Sequence, residues 1–275
     1  MNANQTAAEG ERLARKADDS NLLDHAVRVG LVSYGIVHLL IAWLAVQLAI
    51  GSSAGSASSK GALSELAQKP GGQILLFVVA AGFLALVLWQ LVETLVGHRS
   101  DAGAKRVAKH VGSAGKVVLY ASLGYSALKI AVGSGSSGGG TDTMTAELMA
   151  VPGGQVLVAV VGAGVLGVAG FLIWRGLTER FKEDLRSDGH TGNTGKAYCM
   201  FGKVGYTSKG LALIVVGGLF VWAAWSHDPE KSGGLDQALG KVLQQPFGAP
   251  VLVVIALGIA GYGLFCFAWA RHLDR

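Results

Sequence analysis

One unit of sequence occurs three times in this chain. Each copy contains a proline that precedes a long apolar run, and these prolines are Pro70, Pro152 and Pro246. A glycine follows each proline by twelve residues, at Gly82, Gly164 and Gly258. Another glycine precedes each proline by 40 or 41 residues, at Gly30, Gly112 and Gly205. Spacing held over three copies indicates an internal repeat, so we expect three related folding units.

Each copy contains two apolar segments that are long enough to cross a bilayer. About 20 apolar residues span the ~30 Å hydrocarbon core at ~1.5 Å rise per residue. The six predicted spans are Leu31–Ile50, Ile74–Val96, Val117–Val132, Val156–Trp174, Tyr206–Trp225 and Val251–Ala270. The third is short and requires Lys129 to extend its ammonium group to the interface. Because only 15% of residues are charged and 51% are hydrophobic, a soluble helical domain would lack a polar coat.

The pattern predicts an all-α integral membrane fold with six transmembrane helices. Two-helix repeats keep one orientation, so we expect three parallel repeats around a pseudo-threefold axis along the membrane normal. The predicted divisions are a cytoplasmic N-terminal segment at 1–27 and repeats at 28–100, 101–185 and 186–275, which together form one membrane domain. Within the first segment, residues from about Glu9 to His25 are expected to form an amphipathic surface helix.

The basic residues indicate how the spans are oriented. All but five of the 23 lysines and arginines lie before the first span, after the last, or in the connections after spans two and four, if Lys209 at the start of the fifth span is counted with the connection before it. The five exceptions are Lys60, Lys69, Lys129, Lys231 and Lys241. The positive-inside rule therefore predicts a plasma-membrane protein with both termini in the cytoplasm. The basic residues form no nucleic-acid recognition motif, and we expect contact with anionic lipid headgroups instead.

Each outward connection combines a polar or glycine-rich tract with a short helix-prone stretch. The three stretches are 62–67, 145–149 and 235–239, and each ends before the repeat proline because proline lacks an amide donor. We expect a short amphipathic helix at the outer interface in each repeat. A re-entrant half-helix is the functional alternative, but six to nine residues are too few to reach the membrane midplane.

Small residues are expected to form the helix contacts, because lipid tails remove the hydrophobic drive between helices. The glycines at mid-span, Gly82, Gly164 and Gly258, are predicted to allow close backbone approach. Ala159, Ala163 and Gly167 form a further ridge at helical spacing.

Six polar side chains in or near the spans are candidates for a functional site, since polar groups in a membrane are costly to bury. They are Tyr34, His38, Glu93, Lys116, Tyr120 and Lys209. If the odd-numbered spans face the axis, these residues line a vestibule open to the cytoplasm, and its two lysines favour an anion. The structural alternative is that the lysines reach lipid phosphate, Glu93 pairs with a nearby basic residue, and His38 forms a hydrogen bond between helices.

The chain contains no motif of a known catalytic or cofactor site. A P-loop, a His-Glu-x-x-His sequence and a Gly-x-Ser-x-Gly sequence are absent, and so is a Cys-x-x-Cys pair. His38 is the only histidine well inside a predicted span, which is too few ligands for a metal or haem site. We therefore expect no enzyme activity, no catalytic residue, no metal and no cofactor.

The combined motifs resemble a known family. The glycine at the start of each odd span, the Pro-Gly-Gly or Pro-Phe-Gly corner and the mid-span glycine are similar to a bacterial, mainly actinobacterial, family of six-span membrane proteins. That family is catalogued as domain of unknown function number 1206, and the resemblance extends from about Arg28 to Arg271. The second copy departs most, with Lys116-Val117 where the others have Tyr34-Gly35 and Lys209-Gly210. The resemblance implies architecture and a plasma-membrane location, without an activity.

Two functions of different class remain open from the sequence. The first is a non-enzymatic membrane scaffold or accessory module that contacts another membrane protein. The second is a small transporter, channel, or lipid- or anion-binding protein with a site near the pseudo-threefold axis. The first is favoured because transport pathways place ionisable or unwound sites near the midplane, where this sequence has mostly Gly, Ala, Val and Leu.

Overall fold

A computed structural model of the chain describes residues 21–52, 55–94, 103–133 and 141–273. The predicted surface helix from Glu9 to His25 lies mostly outside the described residues, and so does most of the glycine tract that follows the third predicted span. Among the described residues there are nine α-helices and no strand. Each copy of the repeat consists of a long helix, a short helix and a second long helix, in the order that the sequence predicts.

The α-helices have the following bounds: α1 Asn21–Ala49, α2 Ser59–Ala67, α3 Gly72–Val92, α4 Gly103–Ala131, α5 Thr141–Met149, α6 Gly154–Leu177, α7 Gly192–Ser226, α8 Leu235–Leu243 and α9 Gly248–Arg271. The described part of the chain also contains short 3-10 helices at Arg180–Asp184, Ser187–Gly189 and Pro229–Lys231. The predicted short helices before the prolines correspond to α2, α5 and α8.

Five of the described helices are long and apolar enough to cross a membrane, one fewer than the sequence predicts. They are residues 23–49 of α1 together with α3, α6, α7 and α9. The third predicted span, 117–132, forms the second half of α4. The first half of that helix carries Lys105, Arg106 and Lys109, so the apolar part of α4 is shorter than a full span. By their length and composition, these five helices indicate a membrane protein.

The same corner connects the short and long helices in each repeat. The residue after the proline has a positive φ, at 74° for Gly71, 78° for Gly153 and 60° for Phe247. The next glycine donates its amide hydrogen to the carbonyl three residues earlier, over 2.8 to 2.9 Å. Proline at the second position and a positive φ at the third are typical of a type II turn. The corner is therefore a defined turn rather than a flexible linker.

Packing requires a glycine at the last position of each corner. A Cβ added at Gly72, Gly154 or Gly248 would overlap the backbone at the end of the preceding short helix. The overlapped carbonyls include those of Leu66, Leu148 and Val242. Any other residue would push the short helix away from the start of the long one.

The chain divides into two compact units. The first consists of the described residues in Met1–Tyr34 and Leu66–Ser134. Its helices α3 and α4 pack together, and the start of α1 packs on α3 through a glycine pair. A Cβ added at Gly30 would lie 2.5 Å from the carbonyl oxygen of Gly82. Gln90 also donates a buried hydrogen bond to Ser113 Oγ over 2.9 Å.

The second unit consists of the described residues in Gly35–Glu65 and Gly135–Arg275. Helix α7 is its centre and packs on both α6 and α9. The backbones approach closely at small residues: a Cβ added at Gly210 would lie 2.8 Å from the carbonyl oxygen of Ala169. Similarly, a Cβ at Gly35 would lie 2.8 Å from the carbonyl oxygen of Gly263. Small residues thus form the contacts between helices, as the absence of a hydrophobic drive in lipid requires.

The face of α6 that packs is not the one that the sequence predicts. Gly162 and Ala169 are buried, whereas Ala163 and Gly167 of the predicted ridge are exposed. A Cβ added at Gly162 would lie 3.0 Å from the backbone nitrogen of Val221 on α7. The prediction failed because α6 is rich in small residues on several faces, so spacing alone does not select one.

Candidate polar site in the second unit

A pair of buried tyrosines lies at the end of the second unit that holds the α6–α7 connection. Tyr206 on α7 and Tyr262 on α9 meet edge to face, with ring centroids 5.1 Å apart. The pair forms because Gly205 has no side chain: a Cβ there would lie 2.5 Å from Tyr262 Cα. We call these rings and the polar groups that contact them the tyrosine cluster.

Two cationic side chains lie against these rings. Lys209 Nζ is 4.1 Å from the centroid of Tyr262, and Arg175 Cζ is 5.4 Å from the centroid of Tyr206. Both separations are within the range of cation–π attraction, which strengthens when the groups are desolvated. Arg175 also forms an ion pair with Asp184 from the connection. Aromatic rings and one carboxylate therefore stabilise two cations in a half-buried setting.

Further aromatic rings close the cluster. Phe181 from the connection is fully buried and stacks on Tyr206 at 5.6 Å, with an angle of 9° between the rings. Phe265 is also fully buried and contacts Phe181 at 5.1 Å. Gly202 makes room for Phe181, since a Cβ there would lie 2.5 Å from the edge of its ring.

The connection between α6 and α7 is fastened to the end of α9. Arg186 donates its amide hydrogen to the carbonyl of His272 over 2.8 Å, and Leu185 and Leu273 form an isolated antiparallel bridge. Asp188 approaches His272 Nδ1 at 3.2 Å. The segment that supplies Phe181 and Asp184 is therefore held against the end of α9.

The six predicted site residues fall into separate groups. His38 and Lys209 come together in the second unit, where His38 lies 4.8 Å from Tyr262 between ring centroids. Tyr34 and Tyr120 come together in the first unit, with centroids 5.6 Å apart and Phe83 beside both. Lys116 is exposed, and Glu93 is half-buried at the end of α3. A vestibule that unites all six stays a prediction.

The repeat glycines differ between copies. Gly82 is approached by Gly30 Cα, 3.1 Å from an added Cβ, and by Ser33 Oγ at 2.7 Å. Gly258 is covered by Ser208, which occupies the place of Ser33 in the third copy. An added Cβ at Gly164 has no atom of the described chain within 4 Å. The second copy has Gly115 at the position of Ser33 and Ser208, and a Cβ added at Gly115 also has no described atom within 4 Å.

Sequence reasoning missed Phe181, Asp184, Tyr206 and Tyr262 as parts of the site. Tyr262 lies four residues after Gly258, where the first copy has Leu86 after Gly82, so comparison of the copies could have identified it. Phe181 and Asp184 lie in the connection between α6 and α7, where we find no sequence pattern shared with the other copies. Within the described residues, no group of three or more His, Cys, Asp or Glu side chains has the geometry of a metal site.

The comparison with known proteins agrees with the repeat. The family described as Domain of Unknown Function (DUF1206) matches the chain three times, over residues 29–97, 111–179 and 204–272. The chain is also similar to YxxB, an uncharacterized protein of Bacillus subtilis (strain 168). The two are 28% identical over 246 residues, which cover 86% of this chain and 86% of that protein. No solved structure matches the chain.

Proposed function

The chain belongs to the DUF1206 family, and on that premise we propose that it is a multi-pass plasma-membrane protein that acts as a non-enzymatic scaffold or accessory module. The close packing of the second unit supports this proposal. Its polar groups contact rings and one another, as Lys209 and Arg175 do at the tyrosine cluster. Side chains held in this way stabilise an assembly of helices and leave few groups to turn over a substrate.

The proposed arrangement has six spans. The second half of α4 supplies the third span, with Lys129 extending to the interface. Three parallel repeats then lie around a pseudo-threefold axis, and both termini are cytoplasmic. The threefold repeat of the family match and the same type of turn at the corner of each copy support this arrangement.

The partner of the scaffold is proposed to be another membrane protein. Helix α6 is the least buried of the candidate spans, since only 17% of its most apolar 18-residue segment is buried. Phe171 on this helix is exposed and can be replaced by the photoreactive amino acid benzoylphenylalanine with little change in shape. Irradiation of native membranes is expected to give one discrete adduct with a second protein. Adducts with lipid alone, or within the chain alone, would contradict the scaffold.

A small anion transporter is the second candidate, and the two cations of the tyrosine cluster favour it. Lys209 and Arg175 lie at neighbouring rings, and Asp184 is the carboxylate paired with Arg175. A transporter would move chloride or phosphate across the membrane of proteoliposomes, and Lys209→Met would abolish that flux. Lys116→Met is the matched control, because Lys116 occupies the same repeat position but is exposed. The scaffold proposal expects no flux in the natural protein or in either variant.

A further inference from the structure

A second group of basic side chains lies outside the tyrosine cluster. The start of α7 and the connection before it line an open pocket of about 340 Å³. Its lining residues are Glu179, Lys182, His190, Lys196, Cys199, Met200 and Lys203. We call this the basic pocket. Three lysines and one glutamate leave its wall with a surplus of positive charge at neutral pH.

Glu179 organises two of the lysines. Its carboxylate pairs with Lys182 and lies 3.7 Å from Lys203 Nζ. The residue has a φ of 57°, in the left-handed region that is costly for a side chain larger than glycine. One carboxylate thus holds two ammonium groups at the pocket, and Lys196 on the first turns of α7 adds a third.

An exposed apolar stripe continues from the pocket along α7. Lys196 and Lys203 lie on the same face of the helix as Met200 and Val204, which are 57% and 47% exposed. The stripe continues through Leu211 and Ile214 towards the middle of the helix, and both are exposed. A cationic pocket followed by an apolar stripe has the polarity of a phospholipid, with a phosphate at one end and acyl chains at the other.

We propose that the basic pocket binds the phosphate headgroup of an anionic phospholipid whose acyl chains lie along the stripe of α7. The proposal rests on the membrane embedding given under the proposed function and names the lipid contact. A freely soluble phosphate would use the pocket but gain nothing from the stripe. Charge complementarity and the continuity of pocket and stripe therefore favour the lipid.

The test compares two matched pairs of substitutions in the full-length protein in detergent. Lys196→Gln with Lys203→Gln removes one exposed lysine and one ion-paired lysine from the basic pocket. The control variant combines Lys231→Gln with Lys241→Gln. It also removes one ion-paired and one exposed lysine, because Lys231 pairs with Asp228 and Lys241 is exposed on α8. Binding of dioleoylphosphatidylglycerol is measured by native mass spectrometry, with dioleoylphosphatidylcholine and inorganic phosphate as the other probes.

The pocket pair is expected to weaken phosphatidylglycerol binding about 30-fold, since each lysine near an anionic surface contributes about a five-fold factor. The control pair is expected to change it by less than about two-fold. Phosphatidylcholine should bind weakly to every variant. If the Lys196→Gln/Lys203→Gln variant and the Lys231→Gln/Lys241→Gln variant bind phosphatidylglycerol equally well, the proposal is overturned. Displacement of the lipid by millimolar inorganic phosphate would assign the pocket to a soluble anion instead. Thermal unfolding without lipid checks that the pocket pair folds.

These outcomes can be separated from failure of the scaffold proposal. Anion flux through proteoliposomes would overturn the scaffold but leave the loss of phosphatidylglycerol binding unchanged. Conversely, a discrete photoadduct at Phe171 with no effect of the pocket pair would support the scaffold and overturn the lipid site.

Discussion

At the scale of single residues, the corner position shows how backbone geometry selects a residue type. Gly71 and Gly153 adopt a positive φ without penalty, whereas Phe247 adopts it in the third copy. A left-handed conformation costs a residue with a side chain about 1–2 kcal/mol. The ring of Phe247 is 83% exposed, so few contacts within the described chain offset this cost.

Phe247→Gly is therefore expected to stabilise the purified protein. Relief of strain, less the greater freedom of glycine in the unfolded chain, leaves a gain of about 0.5–1 kcal/mol. Gly71→Ala is the reciprocal change and should cost about 1 kcal/mol, since no described atom lies within 4 Å to add a clash. Detergent-based unfolding measures both. A loss of stability in Phe247→Gly would show that the ring, rather than the backbone, governs this position.

Glu179 makes a second prediction at this scale, which concerns pH. The hydrogen bond from Lys182 holds the pKa of Glu179 below its ordinary value of 4.5, although partial burial acts in the opposite direction. A lowered pKa contributes stability that is present above the ordinary value and is lost as the pH falls through the folded value. Because the carboxylate is about one-third exposed, the contribution is less than about 1 kcal/mol.

Glu179→Gln should accordingly unfold at a lower temperature than the natural protein at pH 7. The difference is expected to shrink as the pH falls below 4.5 and to vanish once the natural carboxylate is protonated. Glu230→Gln, which removes an exposed carboxylate from another connection, serves as the comparison. A difference that grows towards acid pH would reverse the assigned sign.

At the scale of helices, glycine contacts vary between copies that have the same spacing. The sequence identified the mid-span glycines and the short helices, because both recur with the repeat. It did not identify which glycines are covered, since that depends on which helices pack together. Ser33 and Ser208 cover Gly82 and Gly258, whereas Gly115 stands at the equivalent position of the second copy. The tyrosine cluster was missed for a related reason, because its rings come from positions that the repeat does not share.

Gly82→Ala and Gly164→Ala make a matched test of this difference. The added methyl group at Gly82 meets the backbone of Gly30, so overpacking should cost about 1–3 kcal/mol. At Gly164 the methyl group meets no described atom, so we expect a change between zero and a gain of about 1 kcal/mol from helix propensity. Ser33→Gly should restore part of the loss in Gly82→Ala. Equal costs at both glycines in a denaturation experiment would refute the packing difference.

At the scale of the whole molecule, the sequence predicted the class of fold and the threefold repeat, and the family match confirms the repeat. Apolar length is a strong signal, which is why five of the predicted spans are found as apolar helices. The predicted third span is not among these helices because lysines lie at both ends of a short apolar run in α4. The described chain divides into two compact units because of its tertiary contacts, and the repeat pattern in the sequence does not predict those contacts.

The orientation of the spans can be tested with two single cysteines. In a Cys199→Ser background, Ser187→Cys lies in the connection predicted to be cytoplasmic, and Glu230→Cys lies in one predicted to be outside. Both positions are exposed, and Cys266 can remain because it is fully buried. A membrane-impermeant maleimide should label Glu230→Cys in intact cells, and Ser187→Cys only after permeabilisation. Labelling of both positions from one side would disprove the predicted topology.

The type II turn that precedes α3, α6 and α9 has a mechanical consequence. Its amide hydrogen bond and its glycine, which packs on the short helix, connect the two helices rigidly. When the bilayer thins and a long helix tilts to match it, the attached short helix must swing through the same angle. A change in membrane thickness would therefore alter the angle at which each short helix lies, as well as the tilt of the long helix that follows it.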